Sequence, residues 1–414
     1  MRPALEREKL RQRADYTYKF NAKTGRHGWL RLTPAYSLKI VEELVAGHEQ
    51  SQRIFDPFCG TGTTALSAAY HGHESVTTDI NPFLVWFAKT KTAQYTAKEI
   101  AAAQDACAAV LDLVQRKAIE PVAAPPLHNI ERWWSSKSLD FLCSLRAAIS
   151  AVSEDRTAAR NLLLVAFCRS LISLSNAAFN HQSMSFKDDA QLALDFDLDL
   201  AGMFAEDVRF VLQGAAENPM GKTVVALGDS RHPASVMHKS CDLVITSPPY
   251  ANRMSYIREL RPYMYWLGFL QDGRNAGELD WTVIGGTWGI ATSRLIEWQR
   301  ADKHFKSERL SAVLDQIAHA DNKSGVVLAN YVAKYFDDMW AHFQGLLLVL
   351  APAAEVHYIV GNSTFYGVVV ATELLYAEML SALGFHNIEC KAIRKRNSKK
   401  ELVEFDVVAH WKNG

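Results

Sequence analysis

Two segments far apart in the chain carry residues whose types and spacing could do chemistry. The first is Asp56-Pro57-Phe58-Cys59-Gly60-Thr61-Gly62-Thr63-Thr64, which follows the apolar run Arg53-Ile54-Phe55. The second is Thr246-Ser247-Pro248-Pro249-Tyr250, which follows Cys241-Asp242-Leu243-Val244-Ile245. A strand that ends in Asp and enters a Gly-x-Gly turn lets the backbone approach a ligand, because Gly60 and Gly62 carry no Cβ. Asp79 lies roughly 20 positions on, at the end of a second apolar stretch, where an acid is suited to ribose hydroxyls. No Gly-Lys-Ser/Thr closes the turn, so a phosphate loop is excluded. A plain strand–turn–helix without ligand is the alternative, and it leaves Asp56, both glycines and Asp79 as coincidence. In the second segment, consecutive prolines donate no hydrogen bonds and hold the chain extended. Ser247 beside an outward carbonyl makes two acceptors for one planar NH2 group, and Tyr250 supplies a face for stacking. A bare strand-to-loop turn is the alternative there. A nucleotide-like cofactor set against an exocyclic amine points to methyl transfer onto a base, which neither segment indicates alone.

Positioning these residues requires strands and helices in alternation. The chain divides into a polar lead-in over 1–25, an alternating stretch over 26–95, a mostly helical insert over 96–221, and a second alternating stretch over 222–414. A loop insert over 271–330 interrupts the last stretch. Ala65-Leu66-Ser67-Ala68-Ala69 reads as the start of a helix whose small residues allow close approach to a sheet. In the insert, Ala97–Arg116, Ser138–Val152 and Ala158–Leu174 read as helices, and Pro121–Pro126 marks a break. Alternation of this kind predicts an α/β fold with a parallel-rich sheet and helices on both faces. Trp281–Arg294, with Gly285, Gly286 and Gly289, reads as a flexible aromatic loop that touches a nucleic acid or closes the site.

The 414 residues include 45 basic and 45 acidic side chains, so net charge does not advertise a nucleic-acid binder. A local basic surface would suffice. Two clusters are candidates, Lys391, Arg394, Lys395, Arg396, Lys399 and Lys400 near the end, and Arg2, Arg7, Lys9, Arg11 and Arg13 at the start; each is equally a solvated face. Six scattered cysteines show no CxxC spacing, so neither a metal site nor a disulfide framework is indicated. None follows a proline, which argues against a Pro-Cys nucleophile. The charged start and the lack of a long apolar run predict a cytoplasmic protein without a membrane segment.

With these residues in view, the chain resembles the S-adenosylmethionine-dependent amino-methyltransferases of DNA, which modify cytosine N4 or adenine N6. Asp56 to Thr64 resembles their cofactor motif and Thr246 to Tyr250 their catalytic motif. Arg31–Val41 resembles the helix before the cofactor strand, Asp79-Ile80-Asn81-Pro82 the ribose segment, and Leu227-Gly228-Asp229-Ser230 the segment whose acid meets the adenine amine. Val356–Ser363 resembles a late strand. The likeness covers 26–95, 222–270 and 330–411. It implies a Rossmann-like methyltransferase sheet, S-adenosylmethionine as cofactor, double-stranded DNA as substrate, and a cognate restriction endonuclease or defence system as partner. Cofactor contacts carried over by the resemblance are Asp56, Phe58, Cys59, Gly60, Gly62, Thr63, Asp79, Ile80, Asp229 and Thr246. The catalytic set is Ser247, Pro248, Pro249 and Tyr250. Motif order places the target-recognition region between the two halves, and the leading Ser leans toward cytosine N4, although Ser, Asp and Asn can all accept from an amine.

A base within a duplex hides its amine, so the target must be flipped out. It would stack on Tyr250 while its amine donates to Ser247 and the Pro248 carbonyl, and the methyl would pass directly to nitrogen. Asn180, His181 and Gln182, in the polar stretch Asn176–Lys187, are candidates for DNA contact, as are Asn252 and Arg253 directly after the catalytic segment. The Asn176–Lys187 residues can equally cap a helix. Two other readings remain: an RNA guanine-N2 methyltransferase with a related Asn-Pro-Pro-Tyr site, and a non-catalytic nucleic-acid-binding subunit. The leading Ser disfavours the first, and the intact motif residues disfavour the second.

Overall fold

Seven segments rich in β-branched residues pair into one sheet among the described residues. They are β1 (Arg53–Asp56), β2 (Glu74–Asp79), β3 (Thr223–Leu227), β4 (Cys241–Thr246), β5 (Leu350–Gly361), β6 (His386–Lys395) and β7 (Val403–His410). The structure, a computed structural model, describes residues 10–22, 24–30, 32, 36–48, 50–154, 157–178, 185–186, 198–301, 304–320, 324–396 and 402–412. The strand order is β6-β7-β5-β4-β1-β2-β3. Neighbours from β5 through β3 run parallel, with Asp56 opposite Thr77, Asp79 opposite Leu227 and Thr246 opposite Tyr358. Only β7 runs against its neighbours, antiparallel to both β5 and β6. The winding leaves β1 in opposite directions toward β2 and toward β4. The carboxyl ends of those strands therefore flank a crevice, the usual ligand position in such sheets.

Local sequence explains the helices nearest that crevice. Helix α1 (Leu38–Val45) is capped by Ser37, whose hydroxyl accepts from the Lys39 amide. Helix α2 (Thr63–Tyr70) starts at Gly62 in a left-handed conformation, φ 69°, which a residue with a Cβ resists. Helix α3 (Pro82–Thr92) begins with Pro82 in its first turn, and Asn81 accepts from the Phe83 amide at 3.0 Å. Proline suits that position because its missing N–H would be unpaired there anyway.

The insert is helical, with α4 (Ala97–Gln115), α5 (Ser136–Val152), α6 (Ala158–Ser173) and α7 (Leu200–Ala215). Thr96 and Glu99 form a reciprocal capping box on α4. Helix α6 buries every residue from Leu162 to Cys168, as a helix apolar all round must. These helices share a core with α3 and with α8 (Tyr256–Trp266), where Phe83, Phe87, Tyr263 and Trp266 meet Leu142, Leu163, Phe167 and Phe204. A fully buried Arg26 joins the parts. It donates to the carbonyls of Gly214, Ala215 and Lys91 at 2.9, 2.9 and 3.1 Å, to the Ala93 carbonyl, and to Asn218. Strand β3, which opens the 222–414 stretch, pairs with β2 of the 26–95 stretch. The two alternating stretches thus build one sheet.

The 271–330 stretch, expected to be a loop, holds α9 (Gly273–Thr282), α10 (Ile290–Glu297) and α11 (Glu308–His319). Asp272 and Ser307 start two of them by accepting from the Asn275 and Leu310 amides at 2.7 and 3.1 Å. The turn expected to be flexible is pinned. Buried Asp280 accepts from the Ser255 hydroxyl at 2.5 Å and from the Trp288 amide at 2.6 Å. Gly286 is packed so closely on the Asp280 backbone that a Cβ has no room. Helices α12 (Gly325–Leu346) and α13 (Thr372–Ala382) complete the chain's helical cover. They pack on the sheet face that carries Phe55, Val244, Val356, Tyr358, Phe405 and Val407. The other face carries Ile54, Leu243 and Ile245 and meets α1 and α2 through Val41, Val45 and Ala68. Alternate strand residues point to opposite faces, so the fold is a Rossmann-like α/β sheet covered on both sides.

Candidate active site

A cavity of about 380 Å³ opens at the carboxyl ends of the central strands. Each strand delivers a short segment to its wall: Pro57, Phe58 and Gly60 after β1, Asp79, Ile80 and Asn81 from β2, Gly228, Asp229 and Ser230 after β3, and Ser247 to Tyr250 after β4. The two chemically suggestive segments therefore face one space.

The glycine turn is built by its acids. Asp79 accepts from the Gly60 amide through Oδ2 and from the Asn81 amide through Oδ1, both at 2.9 Å. Burial pushes its carboxyl up to about 7, against the pull of those two amides. The Gly62 amide donates to the Cys59 carbonyl at 2.8 Å. A Cβ on Gly62 would sit 3.1 Å from that of Ala88, whereas one on Gly60 would meet the Phe58 carbonyl at an ordinary 3.8 Å, although φ there is 49°. Gly62 is thus both a packing and a turn requirement, while Gly60 is a turn requirement that lines the cavity. Asp56 is 1% exposed. Its Oδ1 accepts from the Thr246 hydroxyl at 2.6 Å and from the Phe58 amide at 3.1 Å, and its Oδ2 has no partner. Burial holds this carboxyl up at about 6. Behind the turn, buried Lys91 donates to the Thr61 carbonyl at 2.8 Å, and burial pushes its ammonium down to about 7.

Asp229 is not free. Arg231 engages its two carboxylate oxygens at 2.7 and 2.9 Å, and the Arg231 amide adds a bond at 2.9 Å. Burial raises the Asp229 carboxyl, but the Arg231 contacts outweigh it and hold the group below its ordinary range. Arg231 also reaches Asp338 of α12 and the Thr282 carbonyl at the end of α9, both at 2.8 Å.

In the proline segment, the Ser247 hydroxyl donates to the Ile359 carbonyl at 3.0 Å. Its one proton is thereby committed to β5, and its lone pairs remain as acceptors. The Pro249 carbonyl accepts from Tyr335 at 2.7 Å, and the Tyr250 amide donates to the Tyr256 hydroxyl at 3.3 Å. Tyr250 donates to Glu404 at 2.8 Å, and the Arg396 guanidinium lies over its ring, 4.7 Å from the centroid. Burial, and then the Glu404 charge, push the Tyr250 phenol well above its ordinary range.

Of the residues expected in the site, Phe58, Gly60, Asp79, Ile80, Asp229, Ser247, Pro248, Pro249, Tyr250 and Asn252 line the cavity. Asp56, Cys59, Gly62, Thr63 and Thr246 are buried behind that wall or within the turn. The Cys59 side chain packs among Val85, Ala88 and Val225, and Thr63 pairs with Thr61 at 2.9 Å. Thr246 acts on Asp56. Arg253 is exposed, with its amide bonded to Tyr331 at 3.1 Å. Asn180, His181 and Gln182 lie outside the described residues. The structure adds Tyr36, Tyr256, Val283, Ile284, Arg394, Arg396 and Glu404 to the wall. The basic run near the C-terminus contained the signal for Arg394 and Arg396, but these two turn inward, while Lys391 is exposed and paired with Glu389 at 3.4 Å. No group of side chains that could hold a metal ion occurs among the described residues, and none of their helices is long and apolar enough to cross a membrane.

Known proteins place these features in context. The family described as UPF0020, RMKL-like, methyltransferase domain, matches residues 30–122, which span α1 to α4. The type II methyltransferase M.BsoBI of Geobacillus stearothermophilus is 22% identical, with 95% of this chain and 85% of that protein covered. The type II methyltransferase M.MvaI of Kocuria varians is 20% identical, with 86% and 80% covered. The type II methyltransferase M.AvaI of Nostoc sp. is 20% identical, with 90% and 81% covered. Among solved structures, the rRNA methyltransferase aviRa of Streptomyces viridochromogenes overlaps 95% of this chain and 92% of its own at 10% identity, with a TM-score of only 0.32. The sequence matches support a methyltransferase.

Proposed function

We propose that the chain moves a methyl group from S-adenosylmethionine to the exocyclic amine of a base flipped out of double-stranded DNA, with cytosine N4 as the favoured position. The observation that carries this reading is the convergence of the Asp79/Asp229 wall and the Ser247–Tyr250 wall on one cavity. The type II methyltransferases among its relatives support the reaction class. The residues present fit the cofactor. Asp79 and Asp229 line the cavity, Ile80 offers an apolar side, Gly60 brings backbone without a Cβ to the wall, and the Asp56 Oδ2 is buried without a hydrogen-bond partner. Asp79 would take ribose hydroxyls and Phe58 and Gly60 the methionine end, while Asp229 would meet the adenine amine by giving up part of its Arg231 contact. The bound cofactor supplies a methyl on a positively charged sulfur.

The protein's own part is positioning and polarisation. Ser247, its proton given to Ile359, accepts from the target amine. The Pro248 carbonyl is the second acceptor. Two such bonds draw the nitrogen lone pair out of conjugation with the ring. Tyr250, which lines the cavity, stacks on the base. The amine proton leaves after transfer, so no strong base is needed. Asn252 at the cavity wall, exposed Arg253 and the helical insert with Asn180, His181 and Gln182 make the DNA side.

Transfer of tritium from labelled S-adenosylmethionine to DNA or tRNA tests the substrate, and base-resolution mapping of DNA from expressing cells tests the base. N4-methylcytosine at one recurring sequence is the expected result. N6-methyladenine would move the target base, label in tRNA alone would favour guanine N2, and no transfer to either would leave a binding subunit.

A further inference from the structure

Tyr250 is held by residues from the far end of the chain. Its hydroxyl donates to Glu404 Oε1 at 2.8 Å. Glu404, on β7, is 4% exposed. Arg394, on β6, donates to both of its oxygens, at 2.8 and 3.2 Å. Arg396 covers one ring face, and its Nη1 donates to the Asn362 carbonyl at 2.9 Å. Gly361 lets ring and guanidinium pack close, since a Cβ there would fall 2.9 Å from Tyr250 Cε2 and from the Arg396 Cζ. A buried ion pair is a poor way merely to fill space, because apolar residues of the same volume stabilise as well or better.

The geometry divides the task. The phenolic oxygen lies on the ring's long axis, so the bond to Glu404 fixes where that axis points but not rotation about it. Arg396 over the ring and the close-packed Gly361 backbone beside it restrict that rotation. We infer that Glu404, steadied by Arg394, is a positioning residue for the target base: it aims the Tyr250 ring so that a single face meets the base at a set angle to Ser247. This rests on the methyl-transfer reading above.

Single-turnover transfer to DNA at saturating cofactor, run beside cofactor titrations, tests it. Glu404→Ala is expected to slow transfer about tenfold to a hundredfold, as for an ångström-scale misplacement, with cofactor affinity within about twofold of wild type. Glu404→Gln should regain most of the rate, because its amide oxygen still accepts from Tyr250. In a Tyr250→Phe background, Glu404→Ala should add less than about twofold, because coupled residues are not additive. If Glu404→Ala leaves Arg394 unpaired and fails to fold, the Arg394→Leu/Glu404→Leu pair removes both charges and should show the same slow transfer. Equal effects of Glu404→Ala with and without the Tyr250 hydroxyl would overturn the inference, as would a wild-type rate in the Leu pair or equal losses in Glu404→Gln and Glu404→Ala. A wild-type protein that transfers no methyl to DNA is a separate result, which sinks the methyl-transfer reading itself.

Discussion

Replacing Asp79 by Asn probes the cofactor half of the site through both affinity and pH. In the structure this carboxylate takes the Gly60 and Asn81 amides at 2.9 Å each and faces the cavity. An Asn side chain keeps one acceptor and turns an NH2 toward one of those two donors. Losing one hydrogen bond to a charged group is worth about 1.5–3 kcal/mol, or roughly 10- to 150-fold in Kd at 1.4 kcal/mol per tenfold. The carboxyl sits at about 7 before any ligand binds. If only the ionised form accepts well from ribose hydroxyls, the competent fraction rises from about one-eleventh at pH 6 to ten-elevenths at pH 8, so wild-type affinity should tighten about tenfold over that range. Stability moves the other way. A carboxyl raised in the folded state above its ordinary value near 4 favours folding least once both forms are ionised, so this group's contribution falls as pH rises from about 4 to 7. Calorimetric titration of S-adenosylmethionine at pH 6, 7 and 8, beside ligand-free melting curves, reads both effects. Asp79→Asn should bind at least about tenfold more weakly at pH 8 and lose this part of the pH dependence. A folded variant with wild-type affinity at pH 8 would refute the ribose assignment, and a wild-type to variant affinity ratio that does not change with pH would refute the role of ionisation.

Other perturbations test the frame around the site. Thr246→Val removes the 2.6 Å bond to buried Asp56 and should destabilise the fold by about 1–3 kcal/mol, read as a shift of the urea midpoint; an unchanged midpoint would contradict it. Gly62→Ala puts a Cβ at a φ of 69° and 3.1 Å from Ala88; about 1–3 kcal/mol of lost stability is expected, and a melting temperature equal to wild type would show that the turn relaxes freely. Arg26→Met leaves the Gly214, Ala215, Lys91 and Ala93 carbonyls without their shared donor; a loss of at least about 3 kcal/mol is expected, together with faster proteolysis of α7, and a protease pattern like wild type would count against the tether.

Much of the fold was legible because its signals are local. The turn from Asp56 to Thr64 and the small-residue helix that follows it depend on residues within a few positions of one another. Helices α4, α5 and α6 of the insert could be read within a few residues of their ends for the same reason, whereas α7 was not read. The stretch 271–330 was harder. Its helices are short and amphipathic, two are capped by a single Asp or Ser while α10 starts at Gly289 without a side-chain cap, and its glycines resemble those of a loop until Asp280 is seen to pin Ser255 and Trp288. The roles of the acids were only partly legible. The sequence shows an Asp at or just past the ends of β1, β2 and β3, but not that Asp79 would be spent partly on the Gly60 amide, that Asp56 would sit behind the wall, or that Arg231 would grip Asp229.

By itself, the sequence determined that two strand ends would carry a glycine turn and a stiff Pro-Pro-Tyr segment, because conformational permission and restriction belong to single residues. That the two face one cavity was decided by strand order, which sets β1 beside β4. The clamp on Tyr250 was decided there too. Glu404 is separated from Tyr250 by 154 positions, and it reaches the ring only because β7 inserts antiparallel between β5 and β6. A partner at that distance leaves no trace in spacing or periodicity, since its proximity depends on how the whole sheet pairs.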